Sequence, residues 1–204
     1  MKKLSFLIFI LGLLFGGVAR AEKKEWSIIK LDDSKSIMAI FNGEITWGDT
    51  ITLLLEKKNG SCDTVKKYIF FYSAKKNQNI VNLKGTFIPV EINLEISKDG
   101  KVLKLPNNSK EQKYIGIGDV SPYLLGHQVI FNIGTFSYAN LINSFAMITK
   151  YTLKIVDDLE PNKHQDIKIK NFKASDYFDV SYNYWNLTNT KEALIKARNL
   201  CMQY

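Results

Sequence analysis

The sequence predicts a mainly β protein, an antiparallel β-sandwich or flattened barrel with a C-terminal helix stapled to the sheet. Three observations carry this expectation. Residues 90–97 alternate apolar and polar side chains without a fault, the period of a half-buried strand. Other short apolar runs are punctuated by Asn-Gly and Asp-Gly pairs, whose tolerance of positive φ suits tight hairpin turns. Helical periodicity is scarce, and no strand leads into a helix of about 10–15 residues that returns to another strand, which disfavours an α/β fold.

The first segment reads as an address. Lys2 and Lys3 precede an apolar run at residues 4–18, followed by Ala19, Arg20 and Ala21. A basic start, an apolar middle and small residues two apart describe a secretory signal peptide at 1–21, cleaved after Ala21. The run has 15 residues, short of the roughly 20 that cross a bilayer as a helix. Retention as an anchor is the alternative. Neither cysteine lies near residue 21, which excludes a lipid-modified N-terminal cysteine. Residues 22–204 are then a single exported β-rich domain, long enough to bury about 70% of its unfolded surface.

Within that domain, strands are expected at 26–31, at 37–41 and 44–47 around Asn42-Gly43, and at 51–55 and 65–71 around Asn59-Gly60. Residues 90–97 and 101–105 form a hairpin around Asp99-Gly100. Further strands are expected at 114–118, 128–133, 148–156, 166–172 and 177–185. A short helix is expected at 138–146 and a longer one at 190–202. Asn189 with Glu192 three residues later gives the longer helix a capping-box-like start. Leu194, Ala197 and Cys201 fall on one of its faces, with Leu200 beside them.

That spacing turns Cys201 toward the sheet. Cys62 and Cys201 are the two cysteines of the chain, both in the exported part. In an oxidising compartment a disulfide is the expected state, stapling the helix near the Asn59-Gly60 turn. A reactive thiol at Cys62 is the alternative, although no histidine or second cysteine sits close in sequence to activate it.

The formal charge is +8, and it falls to +5 when Lys2, Lys3 and Arg20 leave with the leader. Lysine pairs stand at 23 and 24, 57 and 58, 66 and 67, and 75 and 76. None extends into the longer basic run of a nucleic-acid patch. They read as a solvated surface guarding strand edges, or as a weak attraction to lipid headgroups or an anionic polymer.

Catalytic patterns are thin. His127 and His164 are the histidines, the first read as partly buried and satisfied, the second as exposed in a polar turn. No H-E-x-x-H, C-x-x-C or G-x-S-x-G spacing occurs, and Gly116-Ile117-Gly118 lacks the third glycine and the helix of a phosphate loop. Asp32 with Asp33, Asp157 and Asp158 with Glu160, and Asp176 with Asp179 lie near strand ends, where aspartate forms turns. No catalytic residue, metal site or cofactor is assigned. Asn59, Asn107 and Asn186 match the glycosylation acceptor pattern, but the leader and the Lys, Ile and Asn bias look bacterial.

The surface candidate is the run 175–185, in which five of eleven residues are aromatic, interleaved with Asp, Ser and Asn. Such rings with polar tips suit protein interfaces and sugar stacking. In one strand, Phe178, Val180, Tyr182 and Tyr184 would share a core-like face. Tyr177 and Trp185 would then be the binding residues on the other. Beyond the run, Trp185, Asn186 and Leu187, followed by Ala193, Leu194, Ala197 and Cys201, resemble the closing helix of small exported proteins of the bacterial invasion-associated protein B family. The resemblance covers 17 residues, and that family's early cysteine pattern is not matched, so it implies no activity here.

The function expected is that of an exported, periplasmic or envelope, non-enzymatic protein that binds or scaffolds another macromolecule. Its partner would be an envelope or secreted protein, not nucleic acid, and the chain would not be integral to the membrane. A small-molecule or glycan-binding protein using the aromatic patch is the alternative, and a hydrolase with an unrecognised carboxylate site comes third.

Overall fold

A computed structural model describes residues 25–46, 48–75, 78–98, 101–105, 113–158, 169 and 171–204. Among these residues the protein is mainly β. The strands are β1 (Ser27–Leu31), β2 (Ser36–Asn42), β3 (Thr50–Glu56), β4 (Thr64–Ser73), β5 (Phe87–Lys98), β6 (Lys101–Leu105), β7 (Lys113–Tyr123), β8 (Gly126–Ser137), β9 (Ile148–Ile155) and β10 (Tyr182–Asn186). The helices are few: α1 (Tyr138–Ser144), α2 (Ala174–Tyr177) and α3 (Thr190–Met202).

All ten strands pair antiparallel in a single sheet, in the order β1-β2-β3-β4-β8-β7-β5-β9-β10, with β6 beside β5. The sheet curls into a half-barrel. One continuous sheet therefore stands where the sequence allowed two packed ones. Strand alternation sends every second side chain inward. Ile37, Ala39 and Phe41 of β2, Ile51, Leu53 and Leu55 of β3, and Val65, Ile69 and Phe71 of β4 all join one buried core. Leu194, Ala197 and Cys201 of α3 complete that core from the concave side. A disulfide joins Cys201 to Cys62 in the β3–β4 connection, with Cα atoms 6.2 Å apart.

The Asn59-Gly60 turn forms as its chemistry requires, with φ of 49° and 80° and a bridge between Lys58 and Ser61. The β5–β6 hairpin closes with Lys98 opposite Lys101; Asp99 and Gly100 lie outside the described residues. Glu44, Ile45 and Thr46 do not form the expected strand, Trp47 lies outside the described residues, and Asn42-Gly43 is not a two-residue turn: β2 ends at Asn42 and β3 begins at Thr50. Tertiary contact overrides the local signal, because Glu44 and Ile45 donate their N–H groups to Asn183 Oδ1 at 3.1 and 3.0 Å. A Cβ at Gly43 would lie 2.4 Å from Asn183 Nδ2, so glycine serves close approach there rather than positive φ.

Two further expectations change. The strand at 166–172 falls largely outside the described residues, and Asn171 and Phe172 are not in a strand. Residues 177–185 are not one strand, since α2 ends at Tyr177 and pairing resumes only at Tyr182. The helix at 190–202 forms, but Asn189 sits at φ 54° and its side chain makes no cap hydrogen bond, so the capping box is not made.

Candidate functional site

The outer face of the sheet is the unusual surface. By alternation it carries the side chains between those of the core. On it, Leu31, Met38 and Ile40 form one buried cluster with Ile29 and Leu54 against them. Phe70, Tyr123 and Ile130 form a second with Tyr68 and Tyr72. Every member of both clusters belongs to a strand, whereas α3 packs on the opposite face. Thr50 and Thr52, buried on β3, lie between the clusters.

This stripe ends at the β7–β8 hairpin. Tyr123 pairs with Gly126, which leaves Leu124 and Leu125 as a two-residue turn. They are 70% and 86% exposed, and Leu124 holds φ 51°. Just behind them Ser121 and Gln128 are cross-strand neighbours, and Ser121 Oγ and Gln128 Oε1 are buried without a hydrogen-bond partner. Near the stripe, Lys66 and Lys58 share the Glu56 carboxylate at 2.9 and 3.3 Å, and Lys84, in the connection before β5, pairs with Asp119 of β7 at 2.7 Å. Burial alone would raise the Glu56 carboxyl, but hydrogen bonds and charge from Lys66 and Lys58 hold it below its ordinary value.

The binding residues expected in the aromatic run are placed differently. Trp185 is fully buried, edge-on to Phe71 at 6.2 Å and to Tyr151 at 6.0 Å. Tyr177 is half-buried and stacked on Phe172 at 5.3 Å. The outward rings are Tyr182 and Tyr184, 6.1 Å apart, the faces having exchanged roles. Indole buries more apolar surface than phenol, whose hydroxyl prefers water, so the register that turns Trp185 inward wins.

The same end of the half-barrel is tied by a polar network. Asp49, fully buried, accepts hydrogen bonds from Tyr72 N and Asn183 Nδ2, both at 2.7 Å. Asp179 accepts from Ser73 Oγ at 3.1 Å and Ala74 N at 2.9 Å. Burial pushes the Asp49 carboxyl up to about 7, against the opposing bonds from Tyr72 and Asn183. Elsewhere in the core, Lys67 points its ammonium between Phe145 and Tyr151, 4.1 Å from each ring centroid. Desolvation pulls its amine down to about 7.

These two groups give opposite pH slopes. Between 3.8 and about 7 the folded state holds an Asp49 proton that the unfolded chain has released, so this contribution falls as pH rises. Between about 7 and 10.5 the unfolded chain keeps a Lys67 proton that the folded state has lost, so that contribution rises with pH. Lys67→Met is therefore expected to raise the unfolding free energy obtained from urea denaturation most at pH 6, by on the order of 2–4 kcal/mol. The gain should fade as pH approaches 10.5. A gain independent of pH would refute the charge as its cause.

At neutral pH the Lys67 amine has nucleophilic character, yet the rings enclose it and it is 5% exposed. Among the described residues, no three of His, Cys, Asp and Glu come together as a metal site. His127 is partly buried with Nδ1 unpartnered, which corrects the expectation of a satisfied ring. His164 and Glu160 lie outside the described residues. Asp157 accepts from Ala174 N at 2.8 Å, Asp158 from the Tyr114 hydroxyl at 3.1 Å, and Asp32 from the Tyr204 hydroxyl at 3.0 Å. Sequence reasoning missed Ser121, Gln128 and the leucine turn. The available signal was a Leu-Leu pair before Gly126, where turn chemistry favours Asn or Gly.

Comparison with known protein families, characterised proteins and solved structures finds no match to this chain.

Proposed function

We propose that this is an exported, non-enzymatic protein that binds or scaffolds another macromolecule of the envelope, through the outer face of its sheet. One observation carries the reading: two apolar clusters built wholly from strand residues, on the face that α3 does not cover. The central residues of both clusters are covered by their neighbours, and Ile29, Leu54, Tyr68 and Tyr72 beside them are the partly exposed side chains a partner would meet. Export rests on the signal-peptide pattern at 1–21, with cleavage near Ala21, and the disulfide suits an oxidising compartment. In this reading the stapled C-terminal helix stiffens the concave side and leaves the outer face for the partner.

The test is native mass spectrometry of the protein from its own host, beside Ile29→Lys and Leu54→Lys. Both positions are only partly buried, so stability should change by less than about 1 kcal/mol. A second polypeptide that accompanies the wild type and is lost from the variants is the expected result. A bare monomer in every sample would overturn the reading.

A glycan-binding reading has its own support in Tyr182 and Tyr184, whose rings lie side by side facing outward on β10. A sugar adduct lost in Tyr182→Ala, with the outer-face variants unaffected, would favour it.

A further inference from the structure

Two Asn-Gly pairs stand in the chain, and the fold treats them oppositely. Gly43 is buried, its N–H donates to Asp49 O at 2.8 Å, and the Asn183 side chain packs against its α-carbon. Asn42 is held in β2 opposite Thr50. Asn59 and Gly60 are exposed, and beyond the chain neighbours no atom lies within 4 Å of where a Cβ on Gly60 would be. Two backbone bonds between Lys58 and Ser61, at 2.8 and 3.0 Å, hold the ends of that turn. Neither reaches its tip. Among the described residues, the Gly60 N–H and the Asn59 side chain have no hydrogen-bond partner.

An asparagine followed by glycine can react with its own backbone. The next amide nitrogen, once deprotonated, attacks the side-chain carbonyl carbon, and glycine permits the approach because it has no Cβ and few backbone restrictions. The reaction needs that nitrogen free of acceptors and a tip free to turn. Exposed loop tips open at little cost, whereas a buried, bonded backbone reacts only through local opening. Asn59-Gly60 meets both conditions and Asn42-Gly43 meets neither.

We propose that Asn59 is a modification site of the folded protein, converted by its own backbone to aspartate and isoaspartate. Gly60 N loses its proton to hydroxide and forms a bond to Asn59 Cγ. The side-chain NH2 group is expelled and leaves as ammonia with a proton from water, and a succinimide remains. Water then opens either carbonyl of that ring. One opening gives aspartate, the other a β-linked isoaspartate, and no oxidant, reductant or second protein takes part. Aspartate suits the turn, since it tolerates positive φ as asparagine does. Isoaspartate lengthens the backbone between Lys58 and Ser61 by one methylene, so their bridge no longer fits. Cys62 follows directly and carries the staple to α3, so the conversion loosens the loop on which that helix is anchored.

The test ages the purified, disulfide-bonded protein at pH 8, both native and in urea, and maps its peptides by mass spectrometry. Replacement of NH2 by OH is expected at Asn59 at least about tenfold faster than at Asn42 in the native protein, and at nearly equal rates in urea. An isoaspartyl methyltransferase should label the aged native protein in the peptide that holds residue 59. Asn59→Gln, whose longer side chain closes the ring poorly, should fold and lose that label. Hydrogen exchange at 58–61 should be faster in the labelled fraction, and unchanged exchange would refute the loosening. Asn59 that converts in urea but not in the native protein would overturn the site, as would equal native rates at the two pairs. A rate difference that persists in urea would place its cause in the neighbouring sequence and remove the structural one.

Discussion

Trp185→Ala is expected to destabilise the protein by about 3–5 kcal/mol, the range for truncating a large aromatic side chain in a core. The residue is fully buried and touches Phe71 and Tyr151, which come from opposite parts of the half-barrel. β10 is an end strand paired only with β9, so loss of its inward anchor should loosen the strand and, through Asn183, the loop 43–49. Urea denaturation gives the magnitude, and hydrogen exchange at residues 43–49 and 182–186 should show the local effect. Tyr177→Ala is expected to cost less, because that side chain is partly exposed at the margin of the core and stacks on Phe172. Unchanged stability in Trp185→Ala would return Trp185 to the surface and refute the inward register.

The second large effect is expected from Cys62→Ser. The bond joins residues 139 apart and encloses β4 to β10 in its loop. The chain-entropy model gives about 5 kcal/mol for such a loop, and removal of native disulfides usually costs about 2–5 kcal/mol. The variant also leaves a thiol at Cys201, which is fully buried on α3. Surface contacts that remain to hold that helix include Lys57 Nζ donating to Met202 O at 3.0 Å, Arg198 paired with Asp63 at 2.8 Å, and the Arg198 guanidinium 4.9 Å from the Tyr138 ring centroid. The ion pair is exposed and screened by solvent, so it adds little. Thermal unfolding under matched conditions checks the prediction, with exchange at 190–202 expected to rise first. A variant as stable as the parent would show that apolar packing of Ala193, Leu194 and Ala197 alone holds the helix.

Much of the fold was legible locally. The alternation at 90–97, the Asn59-Gly60 turn and the spacing of Leu194, Ala197 and Cys201 each predicted an element that formed. The errors share a cause. Residues 44–46 failed as a strand because Asn183 takes the N–H groups of Glu44 and Ile45 across separations of 139 and 138 residues. The aromatic run was misread because period-two reasoning assumed one unbroken strand. The chain instead bends between Tyr177 and Tyr182, which reverses the faces inferred across that bend.

The candidate site was less legible than the fold. Leu124 and Leu125 look in sequence like the continuation of a strand, since no glycine or asparagine occupies the turn itself. Their exposure follows from the pairing of Tyr123 with Gly126, a long-range registration of β7 against β8 within the whole sheet. Gln128 and Ser121 read as ordinary outward polar residues, and only their burial without partners distinguishes them.

The sequence by itself determined a mainly β chain, the places of most strands, a short helix beginning at Tyr138 and a longer one at 190–202, and the cysteine pairing. Side-chain period, turn chemistry and cysteine count act over a few residues or follow from composition. The tertiary structure alone decided that one sheet curls into a half-barrel, that Trp185 faces inward, and that an apolar stripe with a strained leucine turn lies on the outer face. Those choices depend on contacts between residues far apart in the chain, where burial of the larger apolar surface outweighs any local preference.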